Sequence, residues 1–213
     1  MGAKYERIAG DVRHRIAAGG RVRRAAERYQ WEKDRALLSE AVRGTTGATE
    51  YDTGLSIDDL EFFARYQTLD ADSGVAAVFD VPVGTRILRR DYRTRLKGDG
   101  SPVSLTTSYL VYGVVAANPR LLDADEEPWP GGTQHQLRTL NIEIDRIVES
   151  ITAHPPSATE MAELDIPHGV AVLAVRKQMI DTTGRTIEFS DIILPGDRTE
   201  LVFVTQLSRW DRP

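Results

Sequence analysis

One stretch near the C-terminus constrains the fold most, because two runs of strand-forming residues flank a short turn there. The runs are "GVAVLAVRKQMID" and "TIEFSDIILPGDR", and the turn between them is "TTGR". Both runs are rich in β-branched and other apolar residues, which favour strands, and glycine is typical of a tight turn. The stretch therefore predicts an antiparallel hairpin.

Similar patterns recur upstream, so most of the chain is predicted to form one sheet. Strands are expected over residues 62–69, near 86–96, and in "VSLTTSYLVYG", "DRIVESITAHPP" and "ELVFVTQL". Short helices are expected over 73–79, within "TQHQLRTLNIEI", and in "SATEMAELDIP", where Ser157 and Glu160 have capping-box spacing. Because hairpins connect several of these strands, the predicted class is α+β, a mainly antiparallel sheet with helices on one side.

The N-terminal region differs from the rest in charge and in pattern. Residues 1–36 hold ten Lys or Arg against five Asp or Glu, whereas the rest holds 17 against 27. Amphipathic spacing predicts a helix over 4–17 and a second helix over 21–43, followed by a Gly/Thr-rich loop over 43–54. We therefore divide the chain into a helical arm and linker, 1–54, and a mixed α/β domain, 55–213. The basic arm indicates either contact with nucleic acid or an ordinary solvated basic helix face.

Composition excludes several classes of function. The chain has no cysteine, so neither a disulfide framework nor thiol catalysis is available. Its four histidines are scattered, and neither a metal site nor a cofactor is expected. No apolar run approaches the ~20 residues that a membrane span requires. A cytoplasmic protein without a membrane partner is therefore expected.

Two segments carry a resemblance to a known family. They are "VPVGTRILRR" with "DGSPVSLTTSYL", and the stretch from "RIVESITAHPP" through "RTELVF". Together they resemble the UTRA domain, the effector-binding module of GntR regulators of the HutC type, over roughly residues 55–207. The shared landmarks, in order, are Gly84, Pro102, Thr107-Ser108-Tyr109, Glu160, Leu164, Gly169, Gly184-Arg185, Glu188 and Gly196-Asp197-Arg198. The resemblance implies a fold like that of chorismate lyase, a homodimer, and a cleft for a small polar or anionic metabolite such as a phosphosugar.

The start of the chain is similar to the first helix of the GntR winged helix. The matching pattern is Tyr5-Glu6-Arg7-Ile8-Ala9, but no helix-turn-helix pattern can be placed between Gly20 and Leu55. The resemblance therefore implies a regulator whose DNA-reading head is missing or reduced, and which acts as a heterodimer with a full-length regulator or by sequestering a metabolite. The alternative is a repressor that still binds its operator through the basic arm. An isolated basic segment contacts phosphates without specifying sequence, so Arg21, Arg23 and Arg24 are expected to touch DNA only weakly or indirectly.

The candidate ligand-binding residues lie mostly on the predicted strands. Arg93 and Arg95 share a strand face, so their guanidinium groups are placed to clamp a phosphate or carboxylate. The full set is Arg90, Arg93, Arg95, Thr107, Ser108, Tyr109, Arg146, His154, Arg176 and Glu188. The competing interpretation is that each arginine faces solvent or pairs with a cross-strand carboxylate. A one-residue slip at "LKGDGSP" would exchange the two faces.

Two further interpretations stay open. The loop "NPRLLDADEEPWPGGTQHQ" is either a lid with Trp129 over a ligand or an exposed connection. An enzyme derived from the chorismate-lyase-like fold would need an acid–base pair, and His154 with Glu188 would serve only if the two converge. Because no nucleophile–base set can be placed, catalytic residues are not assigned, and a metabolite-sensing domain is the preferred function.

Overall fold

A six-stranded antiparallel sheet forms the centre of the protein in a computed structural model, which describes residues 21–39, 51, 57–98, 100–205 and 207. The strand order is β2-β3-β4-β7-β6-β5. These strands are β2 (Leu60–Asp70), β3 (Arg86–Leu96), β4 (Pro102–Val111), β5 (Ile144–His154), β6 (Val172–Asp181) and β7 (Thr186–Pro195). A separate two-stranded parallel sheet pairs β1 (Val22–Ala25) with β8 (Thr199–Val202).

Five α-helices accompany the sheets in the described part of the chain. They are α1 (Glu27–Arg35), α2 (Ser73–Phe79), α3 (Tyr112–Val115), α4 (Gly132–Arg138) and α5 (Ala158–Leu164). Short 3-10 turns lie at Ile57–Asp59, Pro119–Leu122 and Ala124–Glu126. The predicted capping box is present, because the Ser157 side chain accepts from the Glu160 N–H and the Glu160 carboxylate accepts from the Ser157 N–H.

The two faces of the large sheet carry separate cores, because side chains alternate along each strand. On one face, here called the inner face, Leu88, Leu110 and Met179 pack with Leu137 of α4 and with Trp129. On the outer face, α2 packs on Ile87 and Phe189, and α5 packs near Leu105 and Ile193. Helices therefore cover both faces, and the expectation that they lie on one side is wrong. Adjacent apolar residues along β3, β4 and β7 point to opposite faces of the sheet, so helices or loops must cover both faces.

Most predicted elements are confirmed, including the helix over 73–79 and the hairpin of β6 and β7. The helix predicted over 21–43 is wrong at its start. Residues 22–25 form β1 instead, which pairs with β8 from Val22↔Thr199 to Ala25↔Val202. A tertiary partner overrides the local helical pattern here, since the Val22 N–H donates to the Arg198 carbonyl over 2.6 Å.

The predicted helix over 4–17 lies outside the described residues, as does nearly all of the loop over 43–54. The division of the chain at residue 54 therefore stays a prediction. No helix in the described ranges is long and apolar enough to cross a membrane.

Candidate functional site

A row of polar side chains crosses the inner face of the sheet from edge to edge. The strand register places Tyr66, Arg90, Ser108, Ser190, Lys177 and Glu149 opposite one another on β2, β3, β4, β7, β6 and β5. Glu188 lies two residues from Ser190 on β7 and therefore points to the same face. We call these seven residues the polar row. It brings together three of the predicted site residues, namely Arg90, Ser108 and Glu188.

Charged hydrogen bonds connect the centre of the polar row. Arg90 Nη2 donates to Glu188 Oε1 over 3.1 Å, and Ser108 Oγ donates to the same oxygen over 2.6 Å. Lys177 Nζ lies 2.9 Å from Glu188 Oε2. Burial by itself raises the pKa of Glu188, but the charges of Lys177 and Arg90 and the Ser108 hydrogen bond lower it to about 2. The centre thus holds two cations and one carboxylate that stays ionised at neutral pH.

Three buried polar atoms of the polar row make no hydrogen bond among the described residues, and two of them, Ser190 Oγ and Arg90 Nε, also lack an ion-pair partner. Ser190 is 1% exposed and its Oγ makes no hydrogen bond, and Arg90 is 2% exposed and its Nε makes none. A buried polar group without a partner costs free energy, so such groups are uncommon unless water or another molecule satisfies them. The polar row therefore has unused hydrogen-bonding capacity at its centre.

A loop and a helix cover one end of the polar row. Arg90 Nη1 donates to Gln136 Oε1 of α4 over 2.8 Å, and Gln136 Nε2 donates to Glu127 Oε1 over 2.9 Å. The Tyr66 and Tyr92 hydroxyls donate to that same Glu127 oxygen over 2.6 and 3.0 Å. The acidic loop predicted as either a lid or an exposed connection thus places a carboxylate against the sheet, and its Trp129 is buried.

The N-terminal segment, residues 21–39, covers the other end. Arg24 Nη2 donates to Glu149 Oε1 over 2.6 Å, and the Tyr29 hydroxyl donates to the same atom. Burial by itself raises the pKa of Glu149, but Arg24 and Tyr29 lower it below its ordinary value. The edge of the polar row is therefore occupied by side chains from β1 and α1.

Glu32 of α1 is the only acidic residue of described segment 21–39 that is buried, at 4% exposed. Its Oε1 accepts from the Gln134 N–H over 2.8 Å, and a Cβ added to Gly132 would lie 2.7 Å from that oxygen. Burial raises the pKa of Glu32; Lys177 is among the groups opposing the rise and Glu188 adds to it. The segment therefore introduces a second buried carboxylate beside the polar row.

The outer face holds most of the other predicted residues, and each makes a contact within the protein, although Arg93 Nε and Arg95 Nε make no hydrogen bond. Arg93 pairs with Glu163 of α5, and Arg176 Nε donates to Asp191 Oδ1 over 3.0 Å. Thr107 Oγ1 donates to Asp91 Oδ1 over 2.9 Å. Arg95 Nη2 lies 3.5 Å from the Glu163 carbonyl, and the Tyr109 ring stacks on Phe189 at 5.8 Å. Arg93 and Arg95 do share a face, as predicted, but both side chains contact Glu163 of α5.

The last predicted residues lie at the margins. Arg146 is exposed and pairs with Asp145, and His154 ends β5 with its Nδ1 2.9 Å from the Pro155 carbonyl. His154 and Glu188 lie on opposite faces of the sheet, so they do not converge as an acid–base pair. Of the predicted DNA contacts, Arg21 and Arg23 are exposed, whereas Arg24 is bound to Glu149. The described residues contain no cluster of three or more His, Asp or Glu that would hold a metal ion.

Sequence reasoning missed several members of this arrangement. It selected Arg176 but passed over the adjacent Lys177, and it selected Glu188 but not Ser190. Counting residues in steps of two from Glu188 would have found Ser190, because alternate residues of a strand share a face. The register shift between Met179 and Ile180 hides the pairing of Lys177 from a simple count along the hairpin.

Comparison with known proteins identifies the domain. The UTRA domain family matches residues 63–200, which include every strand of the large sheet except the start of β2. The chain belongs to the UTRA family. No curated protein matches the sequence.

Solved structures of similar fold are described as transcriptional regulators. PhnF from Mycobacterium smegmatis is 22% identical, with a TM-score of 0.65 over 88% of this chain and 73% of that one. A GntR-family regulator is 19% identical, with a TM-score of 0.63 over 96% and 98%. The GntR-family regulator from Bacillus cereus is 15% identical, with a TM-score of 0.58 over 70% and 99%. These likenesses show the fold, and the UTRA assignment of the chain rests on the family match.

Proposed function

We propose that this UTRA domain senses a small polar or anionic metabolite and that the polar row is its binding site. The observation that carries the proposal is the buried, charged centre of the row, where Arg90 Nε and Ser190 Oγ lack partners. Protein interiors seldom retain such groups unless water or another bound molecule satisfies them. A ligand with acceptor oxygens would complete these donors, and a hydroxyl or amine would donate to Glu188.

The outer face supports an anion-binding site less well. Its exposed cations pair with carboxylates: Arg176 is 63% exposed and bound to Asp191, and Arg93 is bound to Glu163. An anion binding there would have to displace a carboxylate from its ion pair. Because these pairs contact water, the new ion pair would add little binding free energy. The anion clamp predicted for Arg93 and Arg95 is therefore not part of our proposal.

A ligand screen tests the proposal. The protein's thermal midpoint is recorded with a panel of sugar phosphates, carboxylic acids, neutral sugars and apolar compounds of matched size. A ligand that binds only the folded state raises the midpoint in proportion to the logarithm of its concentration over its dissociation constant. We expect raised midpoints among the phosphates, carboxylates or sugars. Raised midpoints confined to apolar compounds would contradict a polar site.

Other parts of the regulatory function stay predictions. The missing or reduced DNA-reading head, the homodimer and the heterodimer rest on the sequence resemblance alone. Weak DNA contact through the exposed Arg21 and Arg23 predicts binding that falls steeply with salt and shows no sequence preference. A gel shift across a salt series measures both properties.

A further inference from the structure

The centre of the polar row is closed in this structure, and so is the neighbouring Glu32. Arg90 and Glu188 are each 2% exposed, Ser190 is 1% exposed and Glu32 is 4% exposed. A metabolite cannot reach the unpaired Ser190 Oγ unless part of the cover moves. One of the covering elements must therefore move before a ligand can bind.

Segment 21–39 is attached to the described part of the protein by one short strand pair and a set of side-chain contacts. β1 pairs with β8 over four residues, whereas neighbouring strands of the large sheet pair over most of their length. Its side-chain anchors include the Arg24–Tyr29–Glu149 group and two contacts with Gln134, whose N–H donates to Glu32 and whose Nε2 donates to the Tyr29 carbonyl over 2.7 Å. Lys33 donates to the Ile144 carbonyl over 2.7 Å and pairs with Glu143. Parts of a protein held by few contacts open at a lower free energy than the core does.

The segment also takes up groups that a ligand would use. Glu149 is the β5 member of the polar row, and Arg24 and Tyr29 both bind it. Glu32 places a carboxylate where it feels the charges of Lys177 and Glu188. The Glu32 carboxyl group and an anionic ligand would therefore compete for the space and the charge beside Lys177.

We propose that segment 21–39 is a gate over the polar row, and that a docked segment and a bound effector exclude each other. The exclusion rests on the proposed function, whereas the gate itself is a property of the protein without ligand. Because the coupling is reciprocal, docking of the segment lowers the affinity for the effector by the same factor by which a bound effector lowers the docking equilibrium constant. A variant that weakens docking should therefore bind the effector more tightly.

A single thiol tests the gate without any ligand. The chain has no cysteine, so Ser190→Cys introduces one thiol at the buried centre of the row. Its alkylation rate is measured with a small neutral maleimide, alone and combined with either Arg24→Ala or Arg146→Ala. Arg24 holds the segment to Glu149 on β5. Arg146 is the control, because it lies on β5 too but pairs with Asp145 at an exposed position.

We expect Arg24→Ala to raise the alkylation rate about tenfold or more, since it removes a charge-assisted anchor of the closed state. Arg146→Ala should leave the rate within about twofold, as expected for an exposed ion pair. Equal rates in all three proteins would overturn the gate. If Ser190→Cys fails to fold, amide exchange of Gln134 replaces it, because Glu32 protects that N–H. Faster exchange with Arg24→Ala supports the gate, and unchanged exchange overturns it.

The gate and the proposed function can fail separately. If the ligand screen returns no binder while Arg24→Ala speeds alkylation, the gate stands and the sensing function falls. If a polar compound binds while alkylation does not respond to Arg24→Ala, the sensing function stands and the gate falls.

Discussion

At the residue scale, the central finding is that four of the five predicted ligand-binding arginines have carboxylate partners within the protein, whereas Arg95 approaches a backbone carbonyl. Arg90 binds Glu188, Arg93 binds Glu163 and Arg176 binds Asp191. These pairs differ in burial, which decides their energetic weight. Exposed pairs contribute little to stability, whereas removing one partner of a buried pair leaves an uncompensated charge.

Replacing Glu188 tests this difference. Glu188→Gln should lower the free energy of unfolding at pH 7 by about 3 kcal/mol, because Arg90 and Lys177 would keep buried charges without a counter-ion. Glu163→Gln is the matched control, since its partner Arg93 is part-exposed, and we expect a loss of under about 1 kcal/mol. Urea denaturation measures both. Equal losses would contradict a special role for the buried pair.

The same variant has a pH signature. The pKa of Glu188 is about 2 in the folded protein, against an ordinary value of 4.5. Its contribution to stability is therefore fully present above the ordinary value and is lost as the pH falls through that window toward the folded value. Urea denaturation of the wild type should show this loss, and Glu188→Gln should show a shallower one. Parallel curves would contradict the assigned pKa.

At the element scale, the sequence was informative about strands and uninformative about which face each strand buries. Alternation and turn residues predicted β3, β5 and the β6–β7 hairpin because those signals are local. The choice between Arg176 and Lys177 depends on register, which the shift at Met179 and Ile180 alters. β1 was missed because the strand with which it pairs, β8, lies more than 170 residues away in sequence.

The turn between β7 and β8 gives a prediction at this scale. Gly196 donates its N–H to the Ala171 carbonyl over 3.1 Å, and a Cβ there would lie 2.4 Å from that backbone oxygen. Gly196→Ala should lower the free energy of unfolding by about 2 kcal/mol, because the backbone must shift to relieve the clash. Gly113→Ala is the control, since nothing lies within 4 Å of its added Cβ. A chemical denaturation curve unchanged by Gly196→Ala would contradict the close approach.

At the scale of the whole molecule, basic residues of the N-terminal region pair with acidic residues of the domain, and the sequence did not indicate these pairs. The basic N-terminal region was interpreted as a nucleic-acid contact or a solvated helix face. In the structure, Arg24 binds Glu149 and Lys33 pairs with Glu143, so part of its charge is matched by the acidic body of the same chain. Composition indicates such a balance, but only the packed structure shows which charges meet.

Two neighbouring residues on β6 test the central claim most directly. Lys177 lies on the inner face in the polar row, whereas Arg176 lies on the outer face with Asp191. Isothermal titration with the compound that gives the largest thermal shift is carried out on the wild type, Lys177→Ala and Arg176→Ala. We predict that Lys177→Ala raises the dissociation constant at least about tenfold, because a charge-assisted contact with the ligand is lost. Arg176→Ala should leave the dissociation constant within about twofold of the wild-type value. The reverse pattern would place the effector on the outer face and contradict our assignment of the site.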